Sequence, residues 1–345
     1  MTPPSFWYIG ERVLFRQLAA LRLRAGSWDA AAARLVADLA AAAPHEAPEL
    51  HLFFEARCAQ ACEFCEAPAV RDRPLPRALS SLHRRLDRVT GDLLSTGAFE
   101  ALLTACERSA PRVALSITGY DWLQHPGRDA ILDALERHPV LSKRLQGPST
   151  ALSDPALARR VAALSGLRAV ALTLQASDPA AHDAMVGRAG SFHEVKRAIE
   201  QLHEAGATVE ISTVLTRDAV THLPQTLTWL ATRRWKTWLS AFMPDRDLPA
   251  PEPLHPTIAR LRETLADHER ATDAAVLSFV GVALCAVPAR LRDRAFGAPL
   301  SHGGNAVSVP ACDRCAMRPR CPGVSTSYLR AHGDGDLIPL GARPA

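Results

Sequence analysis

Short apolar runs alternate along the chain with longer stretches in which apolar residues recur every three or four positions. The runs are rich in β-branched and aromatic residues, which is typical of strands. They are LHLFF (50–54), RVALSITG (112–119), RAVALTLQ (168–175), TVEISTVLT (208–216) and TWLSAFMP (237–244). Helical periodicity occurs between them, as in DPALARRVAALSG (154–166) and SFHEVKRAIEQLHEAGA (191–207). This order predicts an α/β fold with a parallel sheet, because parallel neighbours need a crossover connection.

Several residues at the predicted helix ends suit helix caps. Asp178, followed by proline, and Ser191 suit N-terminal caps, and Gly206 lies where a C-terminal cap belongs. A curved parallel sheet presents its chemistry at the C-terminal ends of its strands. The loop that follows LHLFF lies at such an end, and it carries three cysteines.

The segment before the first predicted strand is expected to be helical. Its Ala-rich run SWDAAAARLVADLAAAA (27–43) places Trp28, Leu35 and Leu39 at helical spacing. Charged residues interrupt the run, so a packed amphipathic helix is favoured over a membrane span. We therefore expect residues 1–47 to form a short N-terminal helical segment.

Charge and targeting patterns indicate the setting of the protein. The 345 residues carry a net charge of +4, which is too mild to indicate a nucleic-acid partner. The most basic stretch, RDRPLPRALSSLHRRLDR (71–88), is interrupted by acids and prolines and is interpreted as a solvated face. Neither a secretory signal nor a run of about 18 apolar residues is present. We expect a cytoplasmic protein with no nucleic-acid and no membrane partner.

Eight cysteines divide into two groups and one isolated residue. Cys106 stands alone in a helical pattern, where a small buried apolar role is expected. The first group is Cys58, Cys62 and Cys65, and the second is Cys312, Cys315 and Cys321, with Cys285 upstream. In a reducing compartment, clustered cysteines are more often metal ligands or catalytic thiols than disulfides.

The first group offers three thiolates within eight residues. Three thiolates with a histidine or water as fourth ligand could bind zinc. Three thiolates can also each hold one iron of a cuboidal iron-sulfur cluster and leave the fourth iron open to a substrate or cofactor. The spacing and the count favour the cluster, because no fourth residue closes the site at zinc-finger spacing.

The spacing Cys-x3-Cys-x2-Cys, with Phe64 before the last cysteine, resembles the signature of the radical S-adenosylmethionine (radical SAM) enzymes. The resemblance covers most of residues 48–245 and implies a partial (β/α)6 parallel barrel. It implies that Cys58, Cys62 and Cys65 ligate a [4Fe-4S] cluster whose open iron binds S-adenosylmethionine. An electron from an external donor such as flavodoxin or ferredoxin then cleaves the cofactor, and the 5'-deoxyadenosyl radical abstracts hydrogen from a substrate.

The same resemblance implies further cofactor-binding residues. Gly119 and Asp121 occupy the place of the family's Gly-Gly-Glu-Pro turn, where Asp121 would accept from the cofactor's ammonium. The alternative is that Asp121 caps the following helix. Thr173 and Ser212 match positions beside the ribose and adenine, although ordinary strand composition also explains them. Phe64 completes the cofactor-binding set.

The second cysteine group is followed by Pro322 and Gly323 and resembles the auxiliary-cluster extensions called SPASM and twitch domains. We expect residues 246–345 to form such a cysteine-rich region. Four cysteines, Cys285, Cys312, Cys315 and Cys321, would close one auxiliary [4Fe-4S] cluster. A structural zinc site is the rival, because four cysteines suit tetrahedral zinc equally well.

The reaction type is better indicated than the substrate. Family members with such extensions modify ribosomally made peptides or oxidise small molecules. An auxiliary cluster that accepts an electron from a substrate radical would favour net oxidation or cross-linking. We therefore expect a peptide or natural-product substrate. A different class of function, a non-catalytic zinc-binding protein, stays open at this point.

Overall fold

A computed structural model gives the fold of most of the chain. The residues that it describes are 6–10, 22–42, 49–54, 58–62, 64–65, 97–110, 112–119, 121–148, 150–242, 254–296 and 306–341. The basic stretch 71–88 lies outside them, so its interpretation as a solvated face stays a prediction. The chain divides into two compact units, the first comprising 1–59, 81–172 and 194–209 and the second 60–80, 173–193 and 210–345.

The strands of the first unit are parallel and adjacent in chain order. They are β1 (Phe6–Gly10), β2 (Glu49–Phe54), β3 (Ala114–Gly119), β4 (Ser142–Gly147) and β5 (Leu167–Thr173). In register, Leu52 of β2 is opposite Ile117 of β3, and Ile117 is opposite Leu145 of β4. All three side chains are buried, and each contributes about 1.5–3 kcal/mol by leaving water.

The helices of the first unit present apolar faces to its core. They are α1 (Trp28–Ala42), α2 (Ala98–Ser109), α3 (Arg128–Arg137) and α4 (Pro155–Ala162). The predicted Ala-rich helix is α1, which buries Leu35 and Val36 and packs against α2. Cys106 of α2 is fully buried, and burial raises the pKa of its thiol to about 12. Its predicted role as a buried apolar residue fits this position.

The second unit continues with parallel strands in chain order. They are β6 (Val209–Leu215), β7 (Lys236–Ala241), β8 (Val276–Val280) and β9 (Ala295–Phe296). The division between the units falls inside β5, inside β6 and inside helix α6 (Ser191–Glu204). The other helices are α5 (Pro179–Val186), α7 (Arg217–Arg233), α8 (Ile258–Asp267), α9 (Glu269–Ala275) and α10 (Thr326–His332). A small antiparallel pair, β10 (Ala306–Val307) and β11 (Val324–Ser325), lies near the cysteine-rich C-terminal residues.

Two of the predicted caps are found, and one is not. Asp178 accepts from the backbone N–H of Ala181 at 2.8 Å, and Gly206 follows α6 with a positive φ of 82°. Ser191 is the first residue of α6, but its hydroxyl contacts the side chains of Gln60 and His182, which belong to other segments. The backbone N–H of Phe192 instead donates to Asp183 Oδ1, at 2.8 Å.

Strand β1 corrects the expectation that residues 1–47 are entirely helical. Phe6–Gly10 has the sequence FWYIG and pairs in parallel with β2. Aromatic and β-branched residues favour strands, and a short apolar run next to an Ala-rich helix gives little periodicity of its own. The predicted domain boundaries after residues 47 and 245 stay predictions. Strands β8 and β9 belong to the expected C-terminal extension, but β8 pairs in parallel with β7, and β9 pairs in parallel with β8.

Candidate functional site

Three predicted site residues, Cys58, Gly119 and Asp121, belong to the first unit. Cys58 follows β2 by four residues and is half-buried. Gly119 is the last residue of β3 and is paired with Phe54, the last residue of β2. Both predicted positions therefore follow C-terminal strand ends, where parallel sheets carry their chemistry.

Asp121 is buried and bonded to side chains. Its exposed fraction is 1%, and its Oδ2 accepts from Gln124 Nε2 at 2.7 Å and from Thr150 Oγ1 at 3.5 Å. The carboxylate makes no capping hydrogen bond to the short 3-10 helix Trp122–Gln124 that follows. Helix capping therefore does not explain this carboxylate, whose role toward the cofactor stays a prediction.

Asp121→Ala is expected to weaken binding of S-adenosylmethionine about tenfold or more. Removing the acceptor of a charged donor costs about 1.5–3 kcal/mol, and each 1.4 kcal/mol is a factor of about ten. Equilibrium binding of the cofactor to the iron-sulfur-reconstituted protein measures the effect. Gln124→Ala is the control, because it removes a neighbour of the carboxylate and keeps the charge. Equal affinity of Asp121→Ala and the wild type would exclude a cofactor role.

The other part of the cysteine loop, with Cys62, Phe64 and Cys65, belongs to the second unit. Cys62 is buried, whereas Phe64 and Cys65 are half-buried. The backbone N–H of Cys65 donates to Cys62 O at 3.0 Å and closes a tight turn. This hydrogen bond links the backbones of the last two cysteines of the motif.

The end of α5 supports this cysteine loop through main-chain contacts. The backbone N–H of Ala61 donates to Val186 O at 2.9 Å. Gly187 follows with a positive φ of 65°, and a Cβ atom there would lie 2.7 Å from Ala61 O. Only glycine satisfies both the backbone conformation and this close approach. The loop thus rests directly on the backbone at the end of α5.

Buried side chains reinforce the same support. Gln60 Nε2 lies 2.8 Å from Ser191 Oγ, and His182 Nε2 lies 3.4 Å from the same oxygen. Gln60 Oε1 lies 3.5 Å from the sulfur of Cys62. Burial lowers the pKa of His182 to about 4, so its imidazole is neutral at physiological pH. Sequence reasoning missed this set, because three polar residues far apart in sequence give no local signal.

Thr173 and Ser212 are neighbours in the structure. The residue after Thr173, Leu174, donates its backbone N–H to Ser212 O at 3.0 Å. Thr173 ends β5 and is half-buried, and Ser212 is 9% exposed. The pairing places both positions predicted for the cofactor side by side, and their roles stay predictions.

A buried amide beside these residues fits a polar ligand. Gln175 is fully buried, and neither atom of its side-chain amide has a hydrogen-bond partner among the described residues. A buried polar group left unpaired costs about 1–3 kcal/mol, which a bound polar group would recover. The unpaired amide of Gln175 therefore suits a polar cofactor, and the thiols of Cys58, Cys62 and Cys65 suit an iron-sulfur cluster.

The four C-terminal cysteines surround one pocket of the second unit. Cys285, Cys312, Cys315 and Cys321 all line it, and its empty space is about 480 Å³. The sulfur of Cys315 lies 3.3 Å from the backbone N of Leu340, and the sulfur of Cys321 lies 3.4 Å from the backbone N of Leu284. Burial raises the pKa of Cys285, and the nearby Cys321 raises it further. No three metal-binding side chains of the described residues converge on a single-ion site.

A second pocket shares Ala283, Gly323 and Val324 with the cysteine pocket. Its empty space is about 400 Å³, and its wall includes residues at or just beyond the ends of β6, β7 and β8: Leu215, Ala241, Phe242, Gly281 and Val282. His255 also lines this pocket, and its Nε2 lies 3.0 Å from Ser327 Oγ. Burial lowers the pKa of His255 to about 4, so this imidazole is also neutral at physiological pH.

The sequence profile described as the Radical SAM superfamily matches residues 54–229, more than half of the 345 residues. The chain belongs to the radical SAM superfamily. Radical SAM enzymes use a [4Fe-4S] cluster and S-adenosylmethionine. The match includes the Cys-x3-Cys-x2-Cys motif and ends inside α7.

Solved structures with a similar fold include radical SAM proteins. Native anSMEcpe with bound AdoMet is 14% identical, with a TM-score of 0.50 and coverage of 67% of this chain and 63% of that chain. Streptococcus suis SuiB bound to S-adenosylmethionine is 14% identical, with a TM-score of 0.47 and coverage of 65% of this chain and 47% of that chain. Methylornithine synthase (PylB) is 14% identical, with a TM-score of 0.45 and coverage of 79% and 75%.

These similarities concern the fold. The chain matches about half the length of SuiB and less than two thirds of anSMEcpe. The parallel strand pairs and the similarity to anSMEcpe confirm the predicted α/β fold with a parallel sheet of the radical SAM partial-barrel type. A sequence search of curated proteins found no match. Among the described helices, none has the length and apolar character needed to cross a membrane.

Proposed function

We propose that this radical SAM protein oxidises a peptide or a natural-product intermediate, with Cys58, Cys62 and Cys65 as the ligands of its cofactor-binding cluster. The cluster and S-adenosylmethionine would supply a 5'-deoxyadenosyl radical that abstracts hydrogen. The donor set supports this role, because three thiolates leave one iron open. Gly119, Asp121, Thr173 and Ser212 are proposed to bind the cofactor. An external donor such as flavodoxin or ferredoxin would provide the electron.

The proposal of a net oxidation rests on the pocket that four cysteines line. Cys285, Cys312, Cys315 and Cys321 line one space, and four thiolates are enough to close a [4Fe-4S] cluster. We propose that these residues hold an auxiliary cluster in a SPASM- or twitch-like region. A redox centre at this place would accept the electron left on a substrate after hydrogen abstraction.

The pocket lined by His255 is proposed to receive the substrate. It lies at the ends of β6, β7 and β8 and adjoins the cysteine pocket through Ala283, Gly323 and Val324. Its wall is mainly apolar, which suits an aliphatic or aromatic group and excludes water from a carbon radical. The substrate would lose one hydrogen atom to the 5'-deoxyadenosyl radical, one electron to the auxiliary cluster and one proton to bulk water.

The test is anaerobic reconstitution with iron and sulfide, followed by metal analysis. We expect about eight irons per chain, four for each cluster, together with visible iron-thiolate absorbance. Dithionite and S-adenosylmethionine should then give 5'-deoxyadenosine. With a substrate, either a peptide or a small molecule, mass spectrometry should show loss of two hydrogen atoms per turnover. A colourless protein with stoichiometric zinc would contradict the proposal and support a zinc-binding role.

A further inference from the structure

A chain of buried polar groups connects the main chain at the end of β5 with the cysteine loop. The backbone N–H of Gln175 donates to His182 Nδ1 at 3.1 Å. His182 Nε2 contacts Ser191 Oγ, Ser191 Oγ contacts the Gln60 amide, and the Gln60 amide contacts the sulfur of Cys62. Each side chain of this hydrogen-bonded series, from Gln175 to Cys62, is less than 9% exposed. Because little water reaches these groups, each polar hydrogen must find its acceptor within the series.

The first hydrogen bond fixes the tautomer of His182. A backbone N–H can only donate, so His182 Nδ1 must accept and carries no proton. A neutral imidazole then carries its proton on Nε2. Because burial keeps His182 neutral, the Nε2–H group donates to Ser191 Oγ. The hydroxyl proton of Ser191 is thereby free to donate onward to the Gln60 amide.

The amide of Gln60 has two orientations with the same atomic positions. In one, Nε2 faces Ser191 and Oε1 accepts from the thiol of Cys62, at 3.5 Å. In the other, Oε1 accepts from the hydroxyl of Ser191 and Nε2 faces the sulfur. A cysteine that ligates iron is a thiolate and has no proton to donate. The first orientation would then place a carbonyl oxygen against a negative sulfur, whereas the second places an N–H donor there.

We propose that Gln60 donates an N–H···S hydrogen bond to the Cys62 thiolate in the cluster-loaded enzyme, and that Ser191 and His182 hold its amide in this orientation. The proposal rests on Cys62 being a cluster ligand. Hydrogen bonds to cluster sulfurs and other interactions around the ligands tune the potential of the metal centre. The donor stabilises the more negative, reduced state and therefore raises the reduction potential of the cluster. Gln60 would be a positioning residue that tunes the first electron transfer.

Redox titration followed by electron paramagnetic resonance on the reconstituted full-length enzyme tests the proposal. Addition of S-adenosylmethionine identifies the signal of the cluster at Cys58, Cys62 and Cys65. Gln60→Leu removes the donor, and Gln60→Glu replaces it with an acceptor. We expect both variants to titrate at lower potential, by about 59 mV for a tenfold change in the reduced-to-oxidised ratio of a one-electron couple. The carboxylate should give the larger shift.

Controls distinguish tuning of the cluster's reduction potential from structural support of the cysteine loop. Ser191→Ala should shift the potential in the same direction but less, and Gln225→Leu, on the exposed face of α7, should leave it unchanged. A purely structural role of Gln60 predicts lower iron content with an unchanged potential for the clusters that form. Unchanged potentials in Gln60→Leu and Gln60→Glu would overturn the proposal. Should Gln60→Leu not assemble a cluster, the potential of Gln60→Glu decides. A wild-type protein that takes up no cluster at these cysteines would overturn the proposed function as well.

Discussion

The triple variant Cys58→Ala, Cys62→Ala, Cys65→Ala is expected to form no 5'-deoxyadenosine from S-adenosylmethionine. Thiolates are the ligands of such clusters, and alanine offers no donor atom, so the iron that binds the cofactor cannot be held. The loss should be complete, because reductive cleavage needs the electron that this cluster delivers. Chromatography of reactions with dithionite measures it, alongside the iron content of the reconstituted protein.

Two observations make this prediction specific. The triple variant should still take up about four irons at the C-terminal cysteines, so its iron content should fall by half. Cys106→Ala is the matched control, because Cys106 is fully buried in α2 and belongs to neither cysteine group. It should keep both the iron content and the cleavage activity. Formation of 5'-deoxyadenosine by the triple variant would contradict the assignment of these cysteines.

The double variant Cys285→Ala, Cys321→Ala is expected to lose the auxiliary cluster and nearly all product formation. Both cysteines line the same pocket, and two remaining thiolates cannot hold four irons. Cleavage of S-adenosylmethionine should continue, because it uses the other cluster. We expect the ratio of 5'-deoxyadenosine to product to be close to one in the wild type and to rise steeply in the double variant. Iron analysis and product quantification in the same reactions measure both effects.

Cys285 is the critical member of this set, since 26 residues separate it from Cys312. Cys285→Ala alone should lower the iron content toward that of the double variant. Ser308→Ala is the control, because Ser308 lines the pocket without contributing a thiol. A single variant that retains the full auxiliary cluster would show that Cys285 merely packs in the pocket wall. The second site would then lack one protein ligand.

Most strands could be predicted because they are short runs rich in apolar residues, and β4 shows where this rule fails. Its sequence is SKRLQG, and its buried positions are Lys143, Leu145 and Gly147. The ammonium of Lys143 is buried because it donates to three backbone carbonyls, those of His138, Leu141 and Ser165. A lysine satisfied in this way occupies a core position that hydrophobic periodicity assigns to solvent.

The cysteines of the candidate site could be predicted from sequence because spacing within a loop survives folding. The groups that support the loop could not. Gln60, His182 and Ser191 are common polar residues, and Ser191 was expected to cap α6. Their role follows from burial and from the proximity of segments up to 131 residues apart. Contacts between residues so far apart in sequence cannot be predicted from local periodicity.

The close approach of Gly187 to Ala61 bears on what the cysteine loop needs for its fold. The backbone N–H of Ala61 donates to Val186 O, Gly187 leaves no room for a Cβ atom beside Ala61 O, and Gln60 contacts the sulfur of Cys62. Many small metal-binding domains instead fold only when the metal arrives. Here contacts of the polypeptide itself support one side of the cysteine loop, so we expect the fold of this side not to depend on the cluster. Replacement of a lost cluster would then require iron, sulfide and reduced thiols, but no refolding of this side of the loop.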